Sequence, residues 1–62
     1  MFKIKIEKDK LGKYTVYNSI IEVYHNKKKL YEVEGVKNML HEKDARELAE
    51  LMIEDAKITG VL

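Results

Sequence analysis

The sequence predicts an α+β domain: an antiparallel β-meander of three strands, or four, followed by one C-terminal amphipathic α-helix packed on one sheet face (β-β-β-α). Three observations carry this expectation. Residues 2–7 alternate apolar and polar side chains. Residues 13–25 are rich in β-branched and aromatic residues. Residues 42–60 repeat apolar side chains at three- and four-residue spacing.

In the first segment Phe2, Ile4 and Ile6 share one face, and Lys3, Lys5 and Glu7 share the other, the pattern of a half-buried strand. Residues 8–12, KDKLG, read as a turn, with Asp9 free to bond nearby backbone and Gly12 free to take a positive φ. In residues 13–25 the apolar phase changes. Tyr14 and Val16 lie on even positions, whereas Ile21 and Val23 lie on odd ones. A one-residue slip would turn the apolar set outward, so a bulge or a tight turn is expected near Asn18-Ser19. The first alternative gives three strands and the second gives four. Asn26-Lys27-Lys28 is the next turn, and residues 29–36 form the last strand, with Tyr31 and Val33 inward.

Residues 37–41 cross to the helix, where Leu40 and Ala45 have the spacing of a hydrophobic staple. Glu42 and Asp44 suit a helix N-terminus and Gly60 suits a C-terminal cap. The inner stripe is Ala45, Leu48, Ala49, Met52, Ile53 and Ala56. Leu51 falls outside it, with Ile58 and Leu62 near the same side. Either the C-terminal residues cover Leu51 within the monomer, or this side is a second contact surface.

Sixty-two residues make a single domain, 1–62, of marginal stability. The absence of cysteine removes disulfides and thiolate metal sites. His25 and His41 lack partners at ligand spacing, so no metal or cofactor is expected. Packing and oligomerisation remain as sources of stability, and a homodimer follows as an expectation. Ser19 is the only serine, and no nucleophile–base set is visible; the expectation is a protein that is not an enzyme. No signal peptide, membrane-spanning run or lipidation motif is present, so no membrane partner is expected and the cytoplasm is the expected location.

Charge is partitioned. Residues 1–31 carry eight lysines against Glu7, Asp9 and Glu22, a net of +5. Residues 32–62 carry four basic and eight acidic side chains, a net of −4. Lys3, Lys5, Lys27, Lys28 and Lys29 are candidate nucleic-acid contacts through phosphate neutralisation. Tyr17 and Tyr24, on the open sheet face or near the phase change, are candidate anchors for a protein or for stacked bases. With Leu51 and Ile58 they complete the candidate protein interface. Ordinary tyrosine–lysine packing across strands accounts equally well for the two tyrosines.

The segments Gly12-Lys13-Tyr14-Thr15-Val16, Asn26-Lys27-Lys28-Lys29 and Glu42-Lys43-Asp44-Ala45, in this order, loosely resemble the arm-type DNA-binding domain of tyrosine-family phage integrases. That resemblance implies a three-stranded sheet inserted in the major groove. The chain departs from the family in having no arginine in the sheet. In size and lack of cysteine it is also similar to small phage-encoded inhibitors of bacterial defence, such as anti-CRISPR proteins. The leading expectation is a small non-enzymatic protein-binding module, self-associating and acting as a regulator or inhibitor. The alternative is a DNA-binding domain using the basic sheet face and the Lys27–Lys29 turn.

Overall fold

A computed structural model describes residues 1–60. Strands β1 (Phe2–Leu11), β2 (Tyr14–His25) and β3 (Lys28–Glu34) form an antiparallel sheet in the order β1-β2-β3, and helix α1 (Glu42–Thr59) follows. This is the predicted α+β meander with one C-terminal helix on the sheet, in its three-stranded form.

β1 and β2 pair without interruption from Phe2 opposite Val23, through Ile4 opposite Ile21 and Ile6 opposite Ser19, to Leu11 opposite Tyr14. The expected turn over residues 8–12 is therefore displaced. Asp9 bonds the Lys10 N–H (2.8 Å) inside the strand, and the chain reverses at Gly12-Lys13, where Gly12 has φ 64°. Nor does β2 bulge or split at Asn18-Ser19. Because its register is unbroken, Val16 lies on the face opposite Ile21 and is nonetheless buried. The phase change thus records two buried faces of one regular strand. Tyr14 and Tyr31, expected in the core, are both exposed.

The irregularity lies on the other side of β2. Asn26 (φ 51°) and Lys27 (φ 64°) form a two-residue turn with both central residues left-handed, a geometry whose twist matches the flanking strands. Lys28 belongs to β3. Val23 pairs with Tyr31 and Tyr24 with Lys29, so Leu30 is the extra residue of a bulge. β3 ends at Glu34, two residues before the expected end, and the chain then follows the β2 edge loosely.

Ser19 holds that departure with all of its polar atoms. Its carbonyl accepts from Gly35 N–H (2.8 Å), its N–H donates to the Val36 carbonyl (2.8 Å), and its Oγ accepts from Val36 N–H (2.8 Å). The next contact down the edge is Tyr17 with Met39. The loop between them is fixed by Asn18 Oδ1, which accepts from the N–H of left-handed Asn38 (2.8 Å). Gly35 is required by proximity, since a Cβ there would overlap Ser19 Oγ and stand 3.0 Å from the Ser19 carbonyl oxygen.

α1 starts at an extended His41 that makes no side-chain cap bond, so Glu42 and Asp44 are what favours its first turn. It ends at Gly60, whose left-handed φ of 73° lets its N–H reach the Ala56 carbonyl at 2.7 Å. Leu40, proposed to staple onto Ala45, remains exposed. The buried stripe is Ala45, Ala49, Ile53 and Ala56, narrower than expected, with Leu48 and Met52 partly exposed at its border. Ile21, Ala49 and Ile53 form the core cluster, and Phe2, Ile4 and Val33 pack around it.

The Ser19 node sets a stability test. Gly35→Ala should cost about 1–3 kcal/mol through overpacking. Ser19→Ala should cost about 1–3 kcal/mol by orphaning the Val36 N–H. Denaturant unfolding of the two variants and their double should give less than the sum, because removing Oγ also relieves the overlap; strict additivity would contradict the contact.

Candidate functional site

The site begins with where α1 sits. Ala45 and Ala49 have no accessible surface, so the helix backbone lies close to the sheet. It packs over β2 and β1 but, among the described residues, not over the backbone of β3. The reason is dimensional: a helix is about 10 Å across and strands are about 4.8 Å apart, so one helix covers two strands.

One flank of α1 faces β1. Arg46, Glu50 and Lys57 line a groove there with Met1, Phe2 and Ile4, and Lys57 Nζ lies 5.6 Å from the centre of the Phe2 ring. At about 100° per residue, Leu48 and Met52 fall on the opposite flank, towards β3, and Leu51 and Ile58 continue from them to the crown of the helix. Leu48 is 38% exposed, Met52 39%, Leu51 62% and Ile58 85%. On β3, Tyr31 pairs with Val23 and so shares the helix-side face; it is 44% exposed. The exposed helix flank and the Tyr31 end of β3 are thus two walls of one exposed apolar surface, while Val33, next along the same strand face, packs against the core.

The walls differ in charge. Asp44, Glu47, Glu54 and Asp55 border the apolar residues of the helix wall, and Glu47, Glu50, Leu51 and Glu54 line a shallow depression on its crown. Lys43 reaches Glu47 at 3.9 Å. Among the described residues, Asp44, Glu54 and Asp55 have no ion-pair partner within 4.0 Å. The β3 wall carries Lys28, which pairs with His25 and lies on the helix-side face.

The four candidate interface residues do not come together. Leu51 and Ile58 share the crown of α1. Tyr17 lies on the helix-side face, half-buried and bridged to Met39, whereas Tyr24 lies on the open face beneath Lys3 Nζ, 4.7 Å from its ring centre. The candidate basic contacts do not form a uniform patch either. Lys3 pairs with Glu22 and Lys5 with Ile20, while Glu32 and Glu34 continue those two rows on β3. Lys29 spans Glu22 (3.4 Å) and Glu32 (3.3 Å); it separates two carboxylates that face each other across the strands. Lys27 occupies the turn and Lys28 the helix-side face. Leu48, Met52 and Tyr31 were assigned to the core by periodicity. Their exposure follows from the helix seat, which the spacing of the three alanines marks.

Among the described residues no group of three or more His, Cys, Asp or Glu side chains could hold a metal ion. No described helix is long and apolar enough to cross a membrane. Comparison with protein-family models, with curated proteins and with solved structures finds no match.

Hydrogen bonds from Lys29 to Glu32 and Glu22, with the attraction of both carboxylates, raise the Lys29 pKa above its usual 10.5. A raised folded-state pKa stabilises below the unfolded value and loses that effect as pH climbs through the folded value. Wild type should therefore melt above Lys29→Gln at neutral pH, with the gap closing above pH 10.5. Melting curves across this range check it; a gap that widens with pH would contradict the assignment.

Proposed function

We propose that this protein is a small protein-binding module without catalysis of its own, acting as a regulator or inhibitor by docking through the exposed apolar surface of α1 and the Tyr31 end of β3. The observation that supports this reading is the exposure of Leu48 and Met52 on one flank of α1 and of Leu51 and Ile58 on its crown, with Tyr31 exposed on the same face of the sheet. Scattered exposed apolar residues need no explanation. Here two lie on one flank of the helix and two on its crown, on the same side of the sheet as the exposed Tyr31 end of β3, in a domain with a small core of its own. Aromatic side chains and methionine are enriched at interface centres, and a polar rim is the usual surround. The acidic rim gives that arrangement a sign.

The DNA-binding alternative is less well supported. Of its five lysines, Lys3, Lys5 and Lys29 share the open face with Glu22, Glu32 and Glu34, Lys29 is held by two of these, and Lys28 lies on the opposite face. A clean phosphate-binding surface would place them without intervening carboxylates.

The reading is tested by affinity capture from the native host with mass-spectrometric identification, comparing wild type with Leu51→Glu. Proteins captured by wild type should be lost with the variant while its circular dichroism stays native. Identical captures, or capture dominated by nucleic acid with a steep salt dependence, would overturn it.

A further inference from the structure

We propose that the outer edge of β1 pairs with β1 of a second copy of this chain, antiparallel and centred on Ile6, so that two sheets join into one with both helices on the same face. This edge is distinct from the docking surface above, and neither reading rests on the other.

The sheet has two outer edges, and they differ. β3 is seven residues long and carries the bulge at Leu30. β1 is ten residues long, pairs with β2 without a break and contains no proline. Among the described residues nothing pairs with its outer side. A long regular edge leaves a row of N–H and C=O groups ready for another strand. Which residues supply them follows from Met1. Its amino group donates to the Tyr24 carbonyl (3.1 Å), and its carbonyl accepts from the Tyr24 N–H (2.8 Å). Hydrogen-bonded pairs alternate with non-bonded ones along an antiparallel ladder. Odd residues of β1 therefore bond β2, and the N–H and C=O of Phe2, Ile4, Ile6 and Lys8 face outwards. Asp9 Oδ1 takes the next outward donor, the Lys10 N–H (2.8 Å), so the run of free donors ends at Lys8.

The order of charges selects the occupant. Lys3, Lys5, Glu7 and Asp9 follow one another, exposed, along the open face of β1. Among the described residues none of the four has an ion-pair partner within 4.0 Å. Two copies paired antiparallel about Ile6 set Lys5 against the partner's Glu7 and Lys3 against the partner's Asp9, each twice. These fall at the non-bonded positions of the new ladder, where side chains approach most closely. On the helix side Ile6 meets the partner's Ile6, and Lys8 and Lys10 lay their methylene stems against the partner's Ile4 and Phe2. The neighbouring centres fail. Centring on Lys5 or on Glu7 opposes that residue to its own copy. Centring on Ile4 sets Lys3 against the partner's Lys5, and centring on Lys8 sets Glu7 against the partner's Asp9. Like charges directly opposite are destabilising.

The helices allow the join. The twofold axis is normal to the sheet, so the two α1 helices lie antiparallel on one face. Each is seated over its own β1 and β2. With strands about 4.8 Å apart, the helix axes fall about 10 Å from each other, a packing distance for helices. The flanks that meet over the seam carry Arg46, Glu50 and Lys57, of both signs. The acidic Asp44, Glu47, Glu54 and Asp55 lie towards the crown or the β3 side of each helix.

The experiment is light scattering coupled to size exclusion at high micromolar concentration, on wild type, Lys5→Glu, Glu7→Lys, the double exchange Lys5→Glu/Glu7→Lys and Leu51→Glu, with amide hydrogen exchange of wild type at low and high concentration. The substituted positions are all exposed, and circular dichroism checks that each variant is folded. Wild type should be a dimer, with the Ile4, Ile6 and Lys8 amides exchanging fast when dilute and slowly when concentrated. Each single reversal should raise the dimer dissociation constant about tenfold or more, because the altered pair occurs twice, and the double exchange should restore it. Leu51→Glu should leave the dimer intact, which separates this edge from the docking surface. A monomeric wild type, a dimer whose Ile4, Ile6 and Lys8 amides stay unprotected, a dimer lost on Leu51→Glu, or a double exchange that fails to recover would overturn the proposal. Protection of those amides only when a captured host protein is added would give the edge to a foreign strand and overturn the second copy.

Discussion

The close seating of α1 on the β1–β2 pair is the constraint from which the rest of the structure follows. Ala45, Ala49 and Ala56 bring the helix backbone down onto the sheet over Ile21, while Ile53 fills the space between helix and sheet. Larger side chains at the alanine positions would lift the helix and open the space that Phe2 and Ile4 now close. The same seating fixes the helix laterally. Centred over two strands, it covers only Val33 of the third and leaves Tyr31 exposed, and its own leucine and methionine flank is left exposed on that side.

β3 is held by a different kind of interaction. Polar bonds at Ser19, together with Asn18 Oδ1, tie the departing chain to the middle of β2. This attachment lets the chain leave the sheet at Glu34 and still return to the β2 edge at Met39, where it is placed to start the helix. Since these bonds are backbone-directed, they fix the path of residues 35–39 without demanding apolar cover for β3. A largely exposed β3 is thus compatible with an ordered one.

Much of the fold was legible in the sequence. The strict alternation of residues 2–7 and the three- and four-residue spacing of the alanines each have one structural reading, and both element types and their order follow. The middle of β2 was legible as unusual but not as to kind. Asn18 and Ser19 do mark a break, yet it belongs to the β3 side of the sheet, because their side chains serve a neighbouring segment that local periodicity does not contain. Tyr14 and Tyr31 have strand phase for burial, but phase gives only the face, and cover depends on what lies above it. The site was half legible. Leu51 and Ile58 stand out from the helical stripe by angle alone. Leu48, Met52 and Tyr31 could be added only once the lateral position of α1 was known. Tyr17 and Tyr24 differ by seven residues along an unbroken strand, so opposite faces follow from parity once the bulge in β2 is removed. The possibility that Val61 and Leu62 cover Leu51 lies outside the described residues.

The central claim is that Leu48, Leu51, Met52 and Ile58 lie outside the monomer core. The most direct measurement is the relaxation of side-chain methyl signals by a soluble paramagnetic agent, at low and at high protein concentration. Methyls of Leu48, Leu51, Met52 and Ile58 should be strongly broadened when dilute, while those of Ile21 and Ile53 stay protected throughout. Protection of the flank at every concentration would show that it is part of the monomer core and would contradict the account.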